Sequence, residues 1–124
     1  MKIRIQGNSI RYRLKEPEVA DFKKYGSITE TIQLGEEAHQ QLHFQLHTSD
    51  KNTITINFSS NITILEVPRE MAHKWTETDL VGFDAIIDIG RDKALKVLVE
   101  KDFKCLDGNE SENEGAYPNP KENC

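Results

Sequence analysis

Four cationic side chains near the beginning of the sequence are the residues whose types and spacing most clearly suggest chemistry. Lys2 and Arg4 precede the dipeptide Gly7-Asn8, and Arg11 and Arg13 follow it. Ammonium and guanidinium groups that are held together can bind the oxygens of a phosphate or a carboxylate. The alternative is a solvated surface, because exposed charges contribute little by themselves. The spacing therefore predicts either an anion site at these four residues or a charged face without a binding role.

No other group of residues has the spacing of a catalytic or metal site. His43 and His47 share one face of a predicted strand, but at about 3.3 Å per residue they are roughly 13 Å apart, too far to bind one metal ion. Asp84 and Asp88 have the same spacing and are expected to face solvent. We find no nucleophile–base motif and no glycine-rich phosphate loop. We therefore predict no catalytic residue, no metal and no cofactor, and an enzyme is the function that the sequence favours least.

Three residues have chemistry that the sequence leaves open. Glu30 shares a strand face with Ile28 and Ile32, where a carboxylate must be paired, protonated or at an edge. It is either a structural residue or a functional acid. Cys105 and Cys124 are two ligands only, which is too few for a zinc site. Free thiols are the interpretation that a reducing compartment favours.

Two strands joined by a tight turn are needed to bring the four cations together. Residues 1–6 and 9–14 alternate apolar and polar side chains, which is the period of a strand with one buried face. A two-residue turn at Gly7-Asn8 pairs Ile5 with Ile10, so that the two apolar faces coincide. The same register gives these cation pairs: Arg4 with Arg11, and Lys2 with Arg13.

The remaining sequence predicts two helices and six more strands. One helix begins near Pro17 and ends at Gly26, and the other begins after Pro68 and carries Trp75 on its apolar face. Strands are predicted where apolar residues alternate between turn signals. Their predicted ranges are 28–34, 42–47, 53–58, 62–67, 81–89 and 95–99.

The order of the predicted elements is the same in both halves of the chain. The halves align without gaps at an offset of 53, which places Phe22 on Trp75, Ile32 on Ala85 and Glu30 on Phe83. The alternative is coincidence, because any two strand-rich segments can match in phase. What favours a repeat is that the helix and both tight turns also fall in step.

These patterns predict an α+β fold that is mostly β. Two strand-strand-helix-strand-strand repeats, residues 1–50 and 53–102, would form a pseudo-two-fold domain that is barrel-like or made of packed sheets. Residues 1–102 would be this single domain. Residues 103–124 are acidic and lack a core-forming pattern, which predicts an irregular C-terminal tail.

Charge and hydropathy limit the possible partners and the compartment. The chain of 124 residues has a net charge of −5, yet residues 1–25 hold seven Lys and Arg against three acids. This is not the usual profile of a bulk nucleic-acid binder. No apolar run is long enough for a membrane span, and the beginning of the sequence reads as a strand rather than a signal peptide. We therefore expect a cytoplasmic protein, monomeric or homodimeric, with no membrane partner.

The first hairpin resembles the swapped-hairpin DNA-binding domains of bacterial antitoxins and transition-state regulators. The resemblance lies in residues 7–14, with their Gly-Asn-Ser turn, followed by Glu18-Val19 on a short helix. It implies two intertwined strand-strand-helix-strand-strand units. The implied DNA contacts would be the same four cations. The second half carries Thr55, Asn57, Ile64 and Glu66 at the matching positions, so a symmetric DNA contact is not expected.

Nearly the whole chain also resembles a family of small uncharacterised bacterial proteins. The residues that suggest it are 7–13, the segment 100–106 and Tyr117-Pro118-Asn119-Pro120. The resemblance implies a bacterial, cytoplasmic domain but no particular activity.

The function that these observations favour is a non-catalytic binding module for an anionic partner, through the basic hairpin. That partner would be an acidic protein, a phosphorylated ligand or nucleic acid. The alternatives are a structural or protein–protein interaction protein and an antitoxin-like DNA-binding regulator.

Overall fold

The computed structural model describes residues 1–103, 115, 117 and 118 of the chain. Each predicted strand and helix is present, within about two residues of its predicted ends. The elements, in chain order, are β1 (Lys2–Ile5), β2 (Ser9–Leu14), α1 (Glu16–Tyr25), β3 (Ser27–Gln33), β4 (Gln41–Ser49), β5 (Thr55–Ser59), β6 (Ile62–Pro68), α2 (Arg69–Glu77), β7 (Gly82–Gly90) and β8 (Lys93–Lys101).

The strands form two four-stranded sheets, and each sheet takes one hairpin from each half of the chain. The first sheet has the order β1-β2-β8-β7, and the second has the order β3-β4-β6-β5. Within each sheet the two hairpins meet at a parallel pair, β2 with β8 and β4 with β6. The predicted α+β, mostly β fold is confirmed. The sheets do not close into a barrel, so the packed-sheet alternative is the one that the structure takes.

The two parallel pairs have the same register at an offset of 53. Ile10 lies opposite Val97 in the first sheet, and Phe44 lies opposite Thr63 in the second. Adding 53 to Ile10 gives Thr63, and adding 53 to Phe44 gives Val97. Long-range pairing in both sheets therefore follows a single rule, which comes from the shared strand-strand-helix-strand-strand order.

The third strand of each half departs from the gap-free alignment, which was wrong there. Glu30 lies opposite Phe44, and Ala85 lies opposite Val97, so the counterpart of Glu30 is Ala85 and not Phe83. The offset is 55 in these strands because the connection after α2 is longer. Only Gly26 separates α1 from β3, in a left-handed conformation with φ 75°.

The core lies between the two sheets, where the helices also pack. Trp75 and Phe22 are counterparts at the offset of 53, and both are fully buried. Their rings meet edge to face with centroids 6.2 Å apart. Trp75 also contacts Phe83 and donates its indole N–H to the carbonyl oxygen of Val81 at 3.0 Å. No helix in the described part of the chain is long and apolar enough to cross a membrane.

Candidate anion-binding site

The first hairpin has the register that the sequence predicts. Arg4 lies opposite Arg11, and Lys2 lies opposite Arg13. The turn is held by Asn8, whose side-chain amide donates to the carbonyl oxygen of Ala94 at 2.7 Å. All four cations therefore face outward from the first sheet, and we call this set, Lys2, Arg4, Arg11 and Arg13, the basic ribbon.

Two carboxylates at the end of β8 are paired with three of the four cations. Glu100 lies opposite Arg13 in the parallel pair, and its Oε1 is 3.0 Å from the Arg13 Nε and 3.7 Å from the Arg11 Nε. The carboxylate of Asp102 is 3.1 Å from the Lys2 Nζ and 3.8 Å from an Arg13 guanidinium nitrogen. Part of the repulsion across the hairpin is thus neutralised within the chain.

Arg4 is the cation of the ribbon without such a partner in the described residues. No carboxylate oxygen of residues 1–103 lies within 4 Å of its guanidinium. Arg4 is exposed on an edge strand, while the Arg11 side chain is 39% exposed. Like charges directly across a ladder are destabilising. The Arg4–Arg11 pair is therefore the part of the ribbon where an added anion would relieve the most repulsion.

Asp102 is held in a buried position by its backbone. Its N–H donates to the carbonyl oxygen of Leu14 at 2.8 Å, and its own carbonyl oxygen accepts from the N–H of Tyr117 at 2.6 Å. The side chain is only 5% exposed. Among the described residues its buried Oδ2 accepts no well-aligned hydrogen bond, and the buried Nε of Arg13 donates none. Charge proximity, more than hydrogen-bond geometry, therefore links this carboxylate to the ribbon.

The same positions of the second sheet carry a different set of side chains. Thr55, Asn57, Ile64 and Glu66 occupy them, in the register that the basic ribbon has in the first sheet. Glu66 accepts hydrogen bonds from the side chains of Asn57 and Lys51. The second sheet therefore offers no cluster of cations at this place, and a symmetric pair of anion sites is absent from residues 1–103.

Glu30 has a structural partner in the amino group of Met1. Its carboxylate accepts a hydrogen bond from the part-buried ammonium at 2.6 Å, and Glu18 accepts another from the same group. Burial lowers the pKa of the ammonium, but the hydrogen bonds and charges of Glu18 and Glu30 outweigh it, so the pKa lies above its ordinary 8.0. This ion cluster ties β1 to α1 and β3. It favours the structural interpretation of Glu30.

The other candidates from the sequence do not form a site in the described residues. The Nδ1 of His43 is 2.8 Å from the Thr31 hydroxyl, and His47 contacts the carbonyl oxygen of Thr48. Residues 1–103, 115, 117 and 118 contain no group of three metal-binding side chains. The prediction of no metal and no cofactor stays a prediction. Cys105 and Cys124 lie outside the described residues.

Glu100 and Asp102 are the residues of this site that the sequence did not reveal. They follow Arg13 by more than 80 positions, and only the parallel pairing of β2 with β8 brings them beside the ribbon. A signal was available in the apolar face of β8, Leu95, Val97 and Val99, which assigns Glu100 to the outer face. The partner strand could not be read from that alternation.

Comparison with known proteins places the chain in a family. A model of a family of unknown function (DUF7009) matches residues 1–121, and the chain belongs to this family. The expected membership of a family of uncharacterised domains is thereby confirmed. No match was found among curated proteins or among solved structures.

Proposed function

We propose that this protein is a non-catalytic binding module that recognises an anionic partner through the basic ribbon. The observation that carries the proposal is the Arg4–Arg11 pair on the exposed face of the first sheet. No carboxylate of residues 1–103 lies within 4 Å of Arg4, and Glu100 is 3.7 Å from Arg11. A carboxylate or phosphate placed between the two guanidinium groups would accept charge-assisted hydrogen bonds from both.

The internal carboxylates give the four cations different parts in this binding. Lys2 and Arg13 are held by Asp102 and Glu100 and would orient the hairpin. Arg4 and Arg11 would make the direct contacts. Because two carboxylates oppose four cations, the site keeps a positive charge but a moderate one. Binding should therefore be modest and should weaken as salt rises.

We also infer that the two halves are copies of one unit in which the second copy has lost the basic ribbon. The support is the common offset of 53 at both parallel pairs and the exchange of hairpins between the halves. A DNA-binding regulator remains the second candidate function, because the exchanged hairpins match what the antitoxin resemblance implies. The cytoplasm of a bacterium is the setting that we propose for either function.

The experiment measures binding of two defined probes, a fluorescent oligoglutamate peptide and a fluorescent DNA duplex, at low and moderate salt. Arg4→Glu with Arg11→Glu reverses the proposed contacts. Lys24→Glu with Lys74→Glu makes the same change in net charge on the two helices and serves as the matched control. Circular dichroism and thermal melting establish that both variants are folded.

The proposal expects wild type and the control to bind oligoglutamate equally well, and the ribbon variant to lose that binding. Equal loss in both double variants would mean that net charge alone drives association, which would contradict a site. Duplex DNA bound more tightly than the peptide, with a salt slope of about one unit per phosphate contacted, would favour the regulator instead. Wild type that binds neither probe at low salt would overturn the proposed function.

A further inference from the structure

We infer that the anionic partner of the basic ribbon is a second copy of this chain, which docks through the outer face of the first sheet to form a two-fold dimer. The inference rests on the proposed function, because it names the partner for the same site. The acidic group that the ribbon would meet is on β7, at the opposite edge of the same sheet. We call Asp84 and Asp88 of β7 the acidic edge.

Charges of opposite sign are segregated to the two edges of this face. One row of outward side chains runs across all four strands as Arg4, Arg11, Leu98 and Asp84. The basic ribbon lies on β1 and β2 and the acidic edge lies on β7, while β8 between them carries one outward charge of each sign, Lys96 and Glu100. Both carboxylates of the acidic edge are exposed, and within residues 1–103 no Lys or Arg nitrogen lies within 4 Å of either. Each edge therefore carries charge that the described chain does not neutralise.

Ile86 of β7 and Leu98 of β8 form a short apolar strip on this outer face, beside the exposed Lys96. Ile86 stands between Asp84 and Asp88 and is 71% exposed, and Leu98 in the middle of the sheet is half-buried. A shallow groove of about 380 Å³ lies next to Ile86 at the end of β7, and charged residues of the β7–β8 turn line most of it. Burying the strip against a second surface would remove apolar area from water. A polar rim around apolar residues is the usual anatomy of an interface.

Consider a dimer whose two-fold axis runs parallel to the strands, above the line between β2 and β8. This axis brings the basic ribbon of each copy to the acidic edge of the other. The two sheets then stack face to face, so that β1 faces β7 of the second copy and β2 faces its β8, and each row of side chains meets the same row of the other copy. Arg4 then faces Asp84 of the second copy, and Arg11 faces its Leu98. In the next row Arg13 faces Glu100 of the second copy. Packed sheets are rotated by about 30°, so the match is closest near the axis.

The size of the face predicts a weak dimer. Four strands about 4.8 Å apart and about five residues long, at about 3.3 Å per residue, cover roughly 19 by 17 Å. That is below the surface of a standard stable interface. The dimer should therefore be populated only at high protein concentration and should weaken with salt. It should not form by edge pairing of β7 with β7 centred on Ile86, because that register sets Asp84 opposite Asp88 and like charges would repel.

Sedimentation velocity of the full chain over a wide concentration range tests the inference with two charge reversals. One variant carries Arg4→Glu with Arg11→Glu, and the other carries Asp84→Arg with Asp88→Arg. Each variant alone would place like charges against each other and should dimerise at least about tenfold more weakly than wild type, as loss of close charge pairs at interfaces does. An equimolar mixture should dimerise again, because both contacts of the heterodimer are then attractive.

The mixing step keeps the result independent of any folding defect, since an unfolded variant could not recover by mixing. Wild type that stays monomeric at all concentrations, or a dimer that neither reversal weakens, would overturn the inference. Recovery that fails in an equimolar mixture of two variants that circular dichroism shows to be folded would overturn this geometry as well. If the chain is monomeric and oligoglutamate still binds through Arg4 and Arg11, only the dimer is wrong. If oligoglutamate binding is also missing, the proposed function fails with it.

Discussion

The two sheets share one construction, but their outer faces carry different chemistry. In the first sheet two neighbouring outward positions hold Arg4 and Arg11, and in the second sheet the corresponding positions hold Asn57 and Ile64. The inner faces keep apolar residues at the corresponding positions, for example Ile3 and Ile56, which both pack against the core. Inward positions are constrained by packing, whereas outward positions are free to differ. The two sheets therefore differ in the chemistry of their outer faces, and the proposed anion site depends on that difference.

The polar contacts on the two faces also differ in kind. On the second sheet neutral side chains pair across strands, as in the 3.1 Å hydrogen bond from Gln45 to the Thr29 hydroxyl, and the carboxylate of Glu66 is balanced by Lys51. On the first sheet Glu100 and Asp102 balance cations instead. A neutral pair has satisfied its hydrogen-bonding groups and has little left to offer a partner. A charged network with a surplus of cations has not, which is why we place the site on the first sheet.

The largest loss of stability is expected when the aromatic side chain that each half contributes to the centre of the core is truncated. Trp75→Ala and its counterpart Phe22→Ala should each lower the free energy of unfolding by about 3–5 kcal/mol, because both rings are fully buried. Since each sheet contains a hairpin from each half, both variants should melt in one transition. Chemical denaturation followed by fluorescence and circular dichroism measures this. Two separate transitions would show that the halves fold independently.

A smaller loss in the free energy of unfolding is expected at Gly82, the first residue of β7. Its counterpart in the first half, at the start of β3, is Ser27. A methyl group on Gly82 would collide with the carbonyl oxygen of Val99 in the neighbouring strand. Gly82→Ala should therefore cost about 1–3 kcal/mol through backbone displacement. Ser27→Ala, the matched control, should cost less than about 0.5 kcal/mol. Equal melting temperatures for the two variants would contradict this close approach.

Asp102→Asn should make the outer face of the first sheet more positive, because it removes a negative charge that partly neutralises the basic ribbon. We expect a loss of about 1–2 kcal/mol in the free energy of unfolding, since the carboxylate is buried but its partners are partly exposed. Oligoglutamate should bind more tightly than to wild type. Asp50→Asn, on an exposed carboxylate paired with Arg69, serves as the control and should leave binding unchanged. Weaker binding by Asp102→Asn would mean that this carboxylate positions the ribbon more than it competes with the partner.

The smallest effect concerns pH and the ion cluster at Met1. The pKa of the ammonium is raised in the folded chain, so its stabilisation is complete below pH 8 and is lost as pH rises through the folded pKa. The melting temperature of wild type should therefore fall as pH rises above about 8. Glu30→Gln should show a smaller fall, because it removes one partner of the ammonium. Burial lowers the pKa of Lys101, so this group makes stability rise with pH instead. Because Lys101 is present in both wild type and Glu30→Gln, the difference between their pH profiles reports on the ion cluster alone. Parallel pH profiles would contradict this role of Glu30.

Local patterns in the sequence were enough to predict the strands, the helices and the first hairpin. Alternation assigns Ile3 and Ile5 to one face of the hairpin and Arg4 to the other. A two-residue turn allows a single register, so the pairing of Arg4 with Arg11 could be predicted. The offset of 55 between the third strands could not be predicted, because tertiary packing determines how many residues lie between α2 and β7. Leu80 in that connection packs against the core, a contact without any periodic signal.

The balance of charge in the candidate site could not be predicted from local patterns either. Whether Arg13 is free depends on which strand lies beside β2, and alternation in β8 specifies a face but not a neighbour. Burial of Asp102 depends in addition on backbone contacts with Leu14 and Tyr117. Long-range pairing therefore makes four similar cations different: Lys2 and Arg13 are closely paired, Arg11 is 3.7 Å from Glu100, and Arg4 has no carboxylate of residues 1–103 within 4 Å.

The most direct test of the central claim exchanges the outward residues between the two sheets. Arg4→Asn with Arg11→Ile gives the first sheet the residues of the second, and Asn57→Arg with Ile64→Arg does the reverse. Titration with oligoglutamate, with stoichiometry measured for each folded variant, compares them with wild type. We predict that the first exchange abolishes binding and that the second adds a site. Undiminished binding after the first exchange would contradict the claim that the Arg4–Arg11 pair is an anion site.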